Sequence, residues 1–319
     1  MLGDIKAIAE AQSQTDPTFT TTRLYTRLTA AEIRQQLIEQ KGYREDELPS
    51  AETIRVKANQ LDCRLRSVQK SRPQKKLPET EAIFRQLDQF RAEALVDPSI
   101  LRLSMDAKAT VLIGPFSRRG QTRVVVRAMD HDFRPDQTLT PWGIFLPEQN
   151  ELYLYFTASV VTADFIVDCL CDFWQTVHSR FPRMTTLLLH QDNGPENHSR
   201  RTQFMKRVTE FVDQFQITVQ LAYYPPYHSK YNPIERVWGV LEKHWNGSLL
   251  DTMDTVLKFA QTMTWKGVHP VVELVKKTYK KGVKLARKEM DALEKRFARL
   301  PDLGKWFVKI VPIPLALSG

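Results

Sequence analysis

The sequence predicts an α/β protein: a mixed sheet flanked by helices, preceded by a small helical region and followed by a basic helical extension. Three observations lead there. Between residues 100 and 250, β-prone runs alternate with amphipathic helical stretches, as in a sheet covered by helices. Residues 1–95 are mostly polar and carry helix-start signals. Beyond residue 250, apolar residues step by threes and fours amid lysine and arginine. These features divide the chain into regions 1–78, 79–250 and 251–319, and 319 residues suffice for a substantial core.

The first region opens its clearest helix at Thr29-Ala-Ala-Glu32, a capping-box pattern, and runs it through Gln40 with Ile33, Leu37 and Ile38 on one face. Ser50 caps a second helix, striped by Ile54, Ala58 and Leu61. Arg55 and Lys57 lie off that stripe, and Arg64, Arg66, Lys70 and Arg72 follow it. Two short helices and a basic tail fit a helix-turn-helix module, with Arg55, Lys57, Arg64 and Arg66 as DNA contacts. The plainer alternative is a small helical domain with solvated cations. Prolines and charges from Ser71 to Glu79 mark a linker.

The central region reads as strands at Leu101–Ile113, Thr122–Met129, Trp142–Leu146 and Leu152–Thr157. A helix capped by Thr162 follows, carrying Phe165, Ile166, Cys169, Leu170, Phe173 and Trp174. Next come a buried strand at Thr185–His190, an amphipathic helix at Arg201–Phe215, and a strand at Ile217–Tyr223. Asn232 as N-cap and Pro233 as first helical residue then open a helix that buries Ile234, Val237, Trp238, Leu241 and Trp245.

In the last region, Val272, Val275, Tyr279, Val283, Ala286, Met290, Leu293, Phe297 and Leu300 read as one helical stripe, interrupted near Gly282. Lys276, Lys280, Lys284 and Lys288 recur every four residues on another face. They suit either a solvated face or contacts with a DNA backbone.

Composition narrows the function. A net charge of +9 favours a polyanionic partner. With 42% hydrophobic and 10% aromatic residues, the chain is globular. Cys63, Cys169 and Cys171 form neither a disulfide framework nor a zinc pattern, and the histidines show no H-E-x-x-H spacing. The opening MLGDIKAIAEAQS has no long apolar stretch, and no run approaches about 18 apolar residues. The expectation is a protein that is neither secreted nor membrane-spanning.

Three acids carry the chemistry. Asp106 lies inside a strand-like run, where aspartate is disfavoured and so needs a reason. Asp130 and Asp132 compete with it, as ordinary strand-end or turn residues. Asp192 ends a β-prone run before Asn193-Gly194, either as a turn residue or at a strand terminus where α/β folds place ligand chemistry. Glu235 sits at the third position of its helix, where a capping box alone would explain it. Brought together, these carboxylates make an all-oxygen site for Mg²⁺, and two such ions serve in-line phosphoryl displacement.

The stretch PPYHSKYNPIERVWGVLEKHWNG resembles the third-acid segment of mariner-related transposases. DAKATVLIGPFSRRG, HDF, PWGIF and PPYHSKYNPIE resemble the ISAzo group, among the DDE transposases of bacterial insertion sequences in the retroviral-integrase superfamily. The resemblance runs in order over roughly residues 20–250. The turn DNGPENHSRR departs from the glycine- and serine-rich turn usual in that group. One helix-turn-helix candidate stands where related proteins often carry two, which leaves open a truncated copy.

The resemblance implies an RNase H-like sheet with Asp106, Asp192 and Glu235 as catalytic, metal-holding acids. The implied cofactor is Mg²⁺, with Mn²⁺ as substitute. The implied reaction is hydrolysis at a transposon end, then attack of the freed 3′-hydroxyl on target DNA. The partners would be transposon ends and target duplex, with a homodimer or higher oligomer on DNA. The place would be the bacterial cytoplasm, at the nucleoid when DNA-bound. Lys108, His228 and Lys230 are further candidates for contact with DNA. Asn232, like His228 and Lys230, could instead order the third acid. A metal nuclease of the same fold that cannot join strands, and a non-catalytic DNA-binding regulator, remain as alternatives.

Overall fold

Strand and helix boundaries follow the side-chain periodicity over most of the chain. The computed structural model describes residues 1–11, 13–15, 24–26, 28–61, 77–118, 128, 135 and 137–314. They fall into two units, within residues 1–72 and 73–319.

In the first unit, helices α1 (Leu2–Ala11), α2 (Ala30–Lys41) and α3 (Ala51–Gln60) share a core of Ile5, Ile8, Ile33, Leu37, Leu48, Ile54 and Ala58. Thr29 and Glu32 form the reciprocal capping box, and Ser50 accepts from the Thr53 N–H at 3.3 Å. Gly42 ends α2 at φ 70°, a left-handed conformation that suits glycine. Strands β1 (Ser13–Thr15) and β2 (Leu24–Thr26) pair antiparallel.

The second unit begins with α4 (Thr80–Val96) and is built on a mixed nine-stranded sheet. Its strands are β3 (Ile100–Ala107), β4 (Val111–Ile113), β5 (Gln137–Leu146), β6 (Glu151–Thr157), β7 (Thr186–Asp192), β8 (Thr218–Tyr224), β9 (Val271–Val275), β10 (Phe297–Arg299) and β11 (Phe307–Ile310). The spatial order is β10-β11-β8-β7-β3-β5-β6-β9, with β4 pairing β5 off that path. Strands β3, β7 and β8 run parallel, whereas β5 is antiparallel to both β3 and β6.

Helices α5 (Ala163–Val177) and α6 (Thr202–Phe215) cover the sheet face that carries Leu101, Leu103 and Met105. Helix α7 (Ile234–Trp245) and α8 (Met253–Thr262) pack on the other face, against Phe145, Leu152, Leu154 and Phe156. Because strand side chains alternate, Arg102, Ser104 and Asp106 belong to the α7 face. Among the described residues, no helix is long and apolar enough to cross a membrane.

Four expectations need correction. The run Leu101–Ile113 is two strands, not one: the Lys108 N–H donates to Pro141 O at 2.9 Å, and residues 108–110 leave the ladder. The segment after 250 is no basic helical extension. It supplies β9 to one sheet edge and β10–β11 to the other, and its helices are α8 and the short α9 (Arg287–Glu294). Its separation at 251 fails with this, because the same sheet contains residues on both sides of that boundary.

The proposed stripe from Val272 to Leu300 is broken because Val271, Val272 and Val275 are β-branched and find an open partner edge on β6. Gly282 then takes φ 80° and turns the chain. Lys276, Lys280 and Lys284 therefore lie on a non-helical connection, and Lys288 alone sits in a helix; all four are exposed. The fourth correction concerns Asn232, which does not cap its own helix, as described below. All of the Thr122–Met129 strand but residue 128, most of the Ser71–Glu79 linker, and Cys63, Arg64, Arg66, Lys70, Arg72, Asp130 and Asp132 lie outside the described residues.

Candidate active site

The site forms at the C-terminal ends of neighbouring strands. β3 delivers Asp106 next to its last residue, opposite Gly143 of β5. β7, parallel to β3, ends on Asp192. Glu235 occupies the first turn of α7.

Gly143 is required by close approach. A Cβ there would lie 2.6 Å from Ile234 Cδ1 and 2.8 Å from Trp238 Cη2. Its absence lets α7 lie flat on β5, and the Trp238 indole N–H then donates to Asp106 Oδ2 at 3.3 Å. The glycine of PWGIF thus accommodates the helix that carries the third acid.

The turn after Asp192 is held from inside. Buried Asn197 donates to Asp192 O at 2.9 Å and to Gln191 Oε1 at 3.1 Å, while Tyr223 Oη donates to Asn197 O at 2.6 Å. A Cβ on Gly194 would sit 2.7 Å from Asn197 Oδ1, so that glycine keeps the turn closed over Asn197.

The start of α7 is anchored on β3. Asn232 and Ser104 are both wholly buried. Ser104 Oγ donates to Asn232 Oδ1 at 2.5 Å and accepts from the Ile234 N–H at 3.0 Å. Asn232 Nδ2 donates to Met105 O at 3.0 Å. The helix has no cap from its own preceding side chain, so the capping-box reading of Asn232 and Glu235 does not hold. The Asn232 carboxamide is spent on β3 instead.

Asp106 and Asp192 both feel the neighbouring acids. Burial pushes the Asp106 carboxyl up to about 8, and the charges of Asp192 and then Glu235 push it the same way. Burial, then the charge of Glu235, raises Asp192 to about 6. Asp192 Oδ1 is buried with no hydrogen-bond partner. Mutually repelling carboxylates and an orphaned carboxylate oxygen form an electrostatic deficit that a hard cation would fill. Among the described residues, no three His, Cys, Asp or Glu side chains are gathered closely enough to hold a single ion.

The other sequence candidates divide. Lys108 pairs with Glu242 at 2.7 Å, and Arg118 joins the same carboxylate at 3.0 Å, both cations lying over the Trp245 ring. Lys108 is thus committed to a partner on α7. His228 is buried, with Nδ1 2.7 Å from Pro226 O and its ring against Phe84 and Tyr231. Burial removes it from direct contact with a phosphate and makes it a loop-ordering residue. Lys230 is half-buried over the Tyr231 ring. Arg55 pairs with Glu52 on α3, and Lys57 is half-buried nearby. The four C-terminal lysines stand apart from the acids in sequence and do not share one helical face.

Ser104, Gly143, Asn197 and Trp238 were not anticipated as parts of the site. Ser104 had a signal: in LRLSMD the polar residues Arg102, Ser104 and Asp106 alternate with apolar ones and define a second face that needs polar partners. The identity of those partners was not readable from the strand.

Comparisons with known proteins follow the same lines. Curated proteins give no match. Among solved structures, a Mos1 transposase paired-end complex with left transposon end is similar at 13% identity and TM-score 0.43, over 75% of this chain and 71% of that one. The mariner Mos1 paired-end complex with Mg is similar at 14% identity and TM-score 0.42, over 76% and 75%. At those scores neither likeness bears on the site. The family model described as Rhodopirellula transposase DDE domain matches residues 4–312, nearly the whole chain. The chain belongs to that family and is a DDE-type DNA transposase.

Proposed function

We propose that this transposase cleaves DNA at transposon ends and joins the freed 3′-hydroxyl to target DNA at Asp106, Asp192 and Glu235. The observation that carries the reading is the mutual electrostatic coupling of these buried and half-buried carboxylates at two parallel strand ends and a helix start. The order β6-β5-β3-β7-β8, antiparallel then parallel, supports an RNase H-like description of the sheet.

Mg²⁺, or Mn²⁺ in its place, would be held by Asp106 and Asp192 from the strands and by Glu235 from α7. When bound, such ions lower the barrier by stabilising the attacking and leaving oxygens of an in-line displacement. The chain's own contribution is positional. Trp238 holds one Asp106 oxygen by its indole N–H. Asn197 fixes the backbone of Asp192, and the buried Asp192 Oδ1 has no hydrogen-bond partner of its own. Near neutral pH the Asp106 carboxyl retains a proton, which a cation must displace.

In the first unit, α2 and α3 with Arg55 and Lys57 fit a helix-turn-helix reader of the transposon end, and Arg64 and Arg66 follow α3 in the sequence. Assembly as a homodimer or higher oligomer would bring two ends together. A bacterial cytoplasmic location, at the nucleoid on DNA, follows from that substrate.

The test is Asp192→Asn, which keeps size and removes charge. Cleavage of an end-bearing duplex is expected to fall by several orders of magnitude, with binding to the same duplex retained. Cleavage close to that of the unaltered protein would falsify the assignment. Cleavage without joining by the unaltered protein would make it a nuclease, and binding without either would make it a regulator.

A further inference from the structure

We infer that Ser104 and Asn232 form a buried clasp that sets the separation of the first and third acids, and with it cation affinity. Both are positioning residues, and the inference rests on the site proposed above. Ser104 lies two residues before Asp106 on the same strand face. Asn232 lies three residues before Glu235.

The connection is short and fully used. The Ser104 hydroxyl gives its one proton to Asn232 Oδ1 and accepts the Ile234 N–H. Asn232 Nδ2 returns to Met105 O, the carbonyl adjoining Asp106. Thus β3 is joined to the start of α7 by three hydrogen bonds, all made by residues just before the acid each element carries. Neither residue has any exposed surface, so water cannot replace a lost partner.

A need for stability alone does not explain this choice. The surrounding core on that face is apolar: Phe145, paired with Ser104 across the sheet, and Ile234 and Val237 of α7 are all buried. An apolar pair would fill the space without desolvating a hydroxyl and a carboxamide. What the polar pair adds is directional constraint: the strand that ends at Asp106 cannot slide past the helix that begins at Glu235. Removing partners that orient ligands in this way typically weakens cation affinity by about 10- to 100-fold.

The experiment is a Mn²⁺ titration followed by electron paramagnetic resonance on the full chain, with cleavage measured in parallel. Ser104→Ala, Asn232→Ala and the double variant are compared with the unaltered protein. Each single change is expected to raise the half-saturating Mn²⁺ about 10- to 100-fold, and the double variant by no more than the worse single change, because the two act as one unit. Val237→Ala, a buried residue on α7 outside the clasp, controls for lost stability. It should lower the melting temperature without changing half-saturation. An unchanged half-saturation in both single variants, additive losses in the double variant, or an equal loss in Val237→Ala would each overturn the clasp. Glu235→Gln separates this from the parent reading. If it binds Mn²⁺ and cleaves like the unaltered protein, the site assignment itself fails. Loss in Glu235→Gln with normal Ser104→Ala and Asn232→Ala rejects only the clasp.

Discussion

Helices α5 and α7 begin in opposite ways. α5 is capped by the residue before it: Thr162 Oγ1 accepts from the Phe165 N–H at 3.3 Å, within three residues of sequence. α7 has no such cap, and Ser104 reaches it from a strand 130 residues earlier. Both helices bury an apolar face. The difference is that α5 can form its start before the sheet exists, whereas the start of α7 is complete only when β3 is in place. A helix that only supports the sheet can be capped locally. The helix that carries Glu235 is tied to the strand that carries Asp106, so its cap also fixes the site.

Three changes test this contrast at decreasing size. The largest effect is expected from Gly143→Ala, which puts a methyl against Ile234 and Trp238 and must lift α7 from β5. Overpacking of this kind costs about 1–3 kcal/mol of stability. Displacement of about 1 Å at the acids would lower the cleavage rate by about a hundredfold. Cleavage that survives at the normal rate in a folded Gly143→Ala protein would break the link between α7 seating and function.

Next in size is a pH effect that belongs to the α7 side alone. In the folded protein Asp106 is raised from 3.8 to about 8, so the folded state holds its proton more tightly than the unfolded chain. The associated stability is fully present below about pH 4 and is lost as pH rises through about 8. Asp192 contributes with the same sign up to about pH 6. Without divalent cations, the melting temperature should therefore fall between pH 4 and 8. Asp106→Asn should flatten that fall, and Mn²⁺ should raise the melting temperature more at pH 8 than at pH 5. A melting temperature that climbs over this range in cation-free buffer, and is unmoved by Asp106→Asn, would mean that Asp106 does not hold a raised proton affinity in the folded protein.

The smallest effect is expected on the α5 side. Thr162→Ala removes a local cap at a cost of about 1 kcal/mol. In a unit of this size that is a fall of about 2–4 °C in melting temperature. Cleavage at permissive temperature should be unchanged. A marked loss of cleavage there would show that capping of any sheet-packed helix matters to the site, and the contrast with α7 would dissolve.

Much of the candidate site was legible in the sequence. Asp106 stood out as a carboxylate in a strand, Asp192 as a strand terminus, and Glu235 as an acid in a first helical turn. Their supports were not legible. Trp238 read only as core, yet its N–H reaches Asp106 from 132 residues away. Asn232 read as a local cap because asparagine before Pro-Ile-Glu fits that motif. Lys108 read as a phosphate contact because its paired acid, Glu242, lies far along the chain.

What the sequence determined by itself is whatever a window of a few residues contains. The caps at Thr29, Ser50 and Thr162, the buried faces of α5, α6 and α7, and the strand that ends at Asp192 depend on side-chain periodicity and hydrogen bonds spanning three or four residues. Only the tertiary structure decided where the C-terminal segment went. Its valines satisfy a helical spacing and a strand propensity at once, and the open edge of β6 made the choice. The same holds for the start of α7. A buried hydroxyl takes the partner that folding brings to it, and for Ser104 that partner lies 128 residues away, at Asn232.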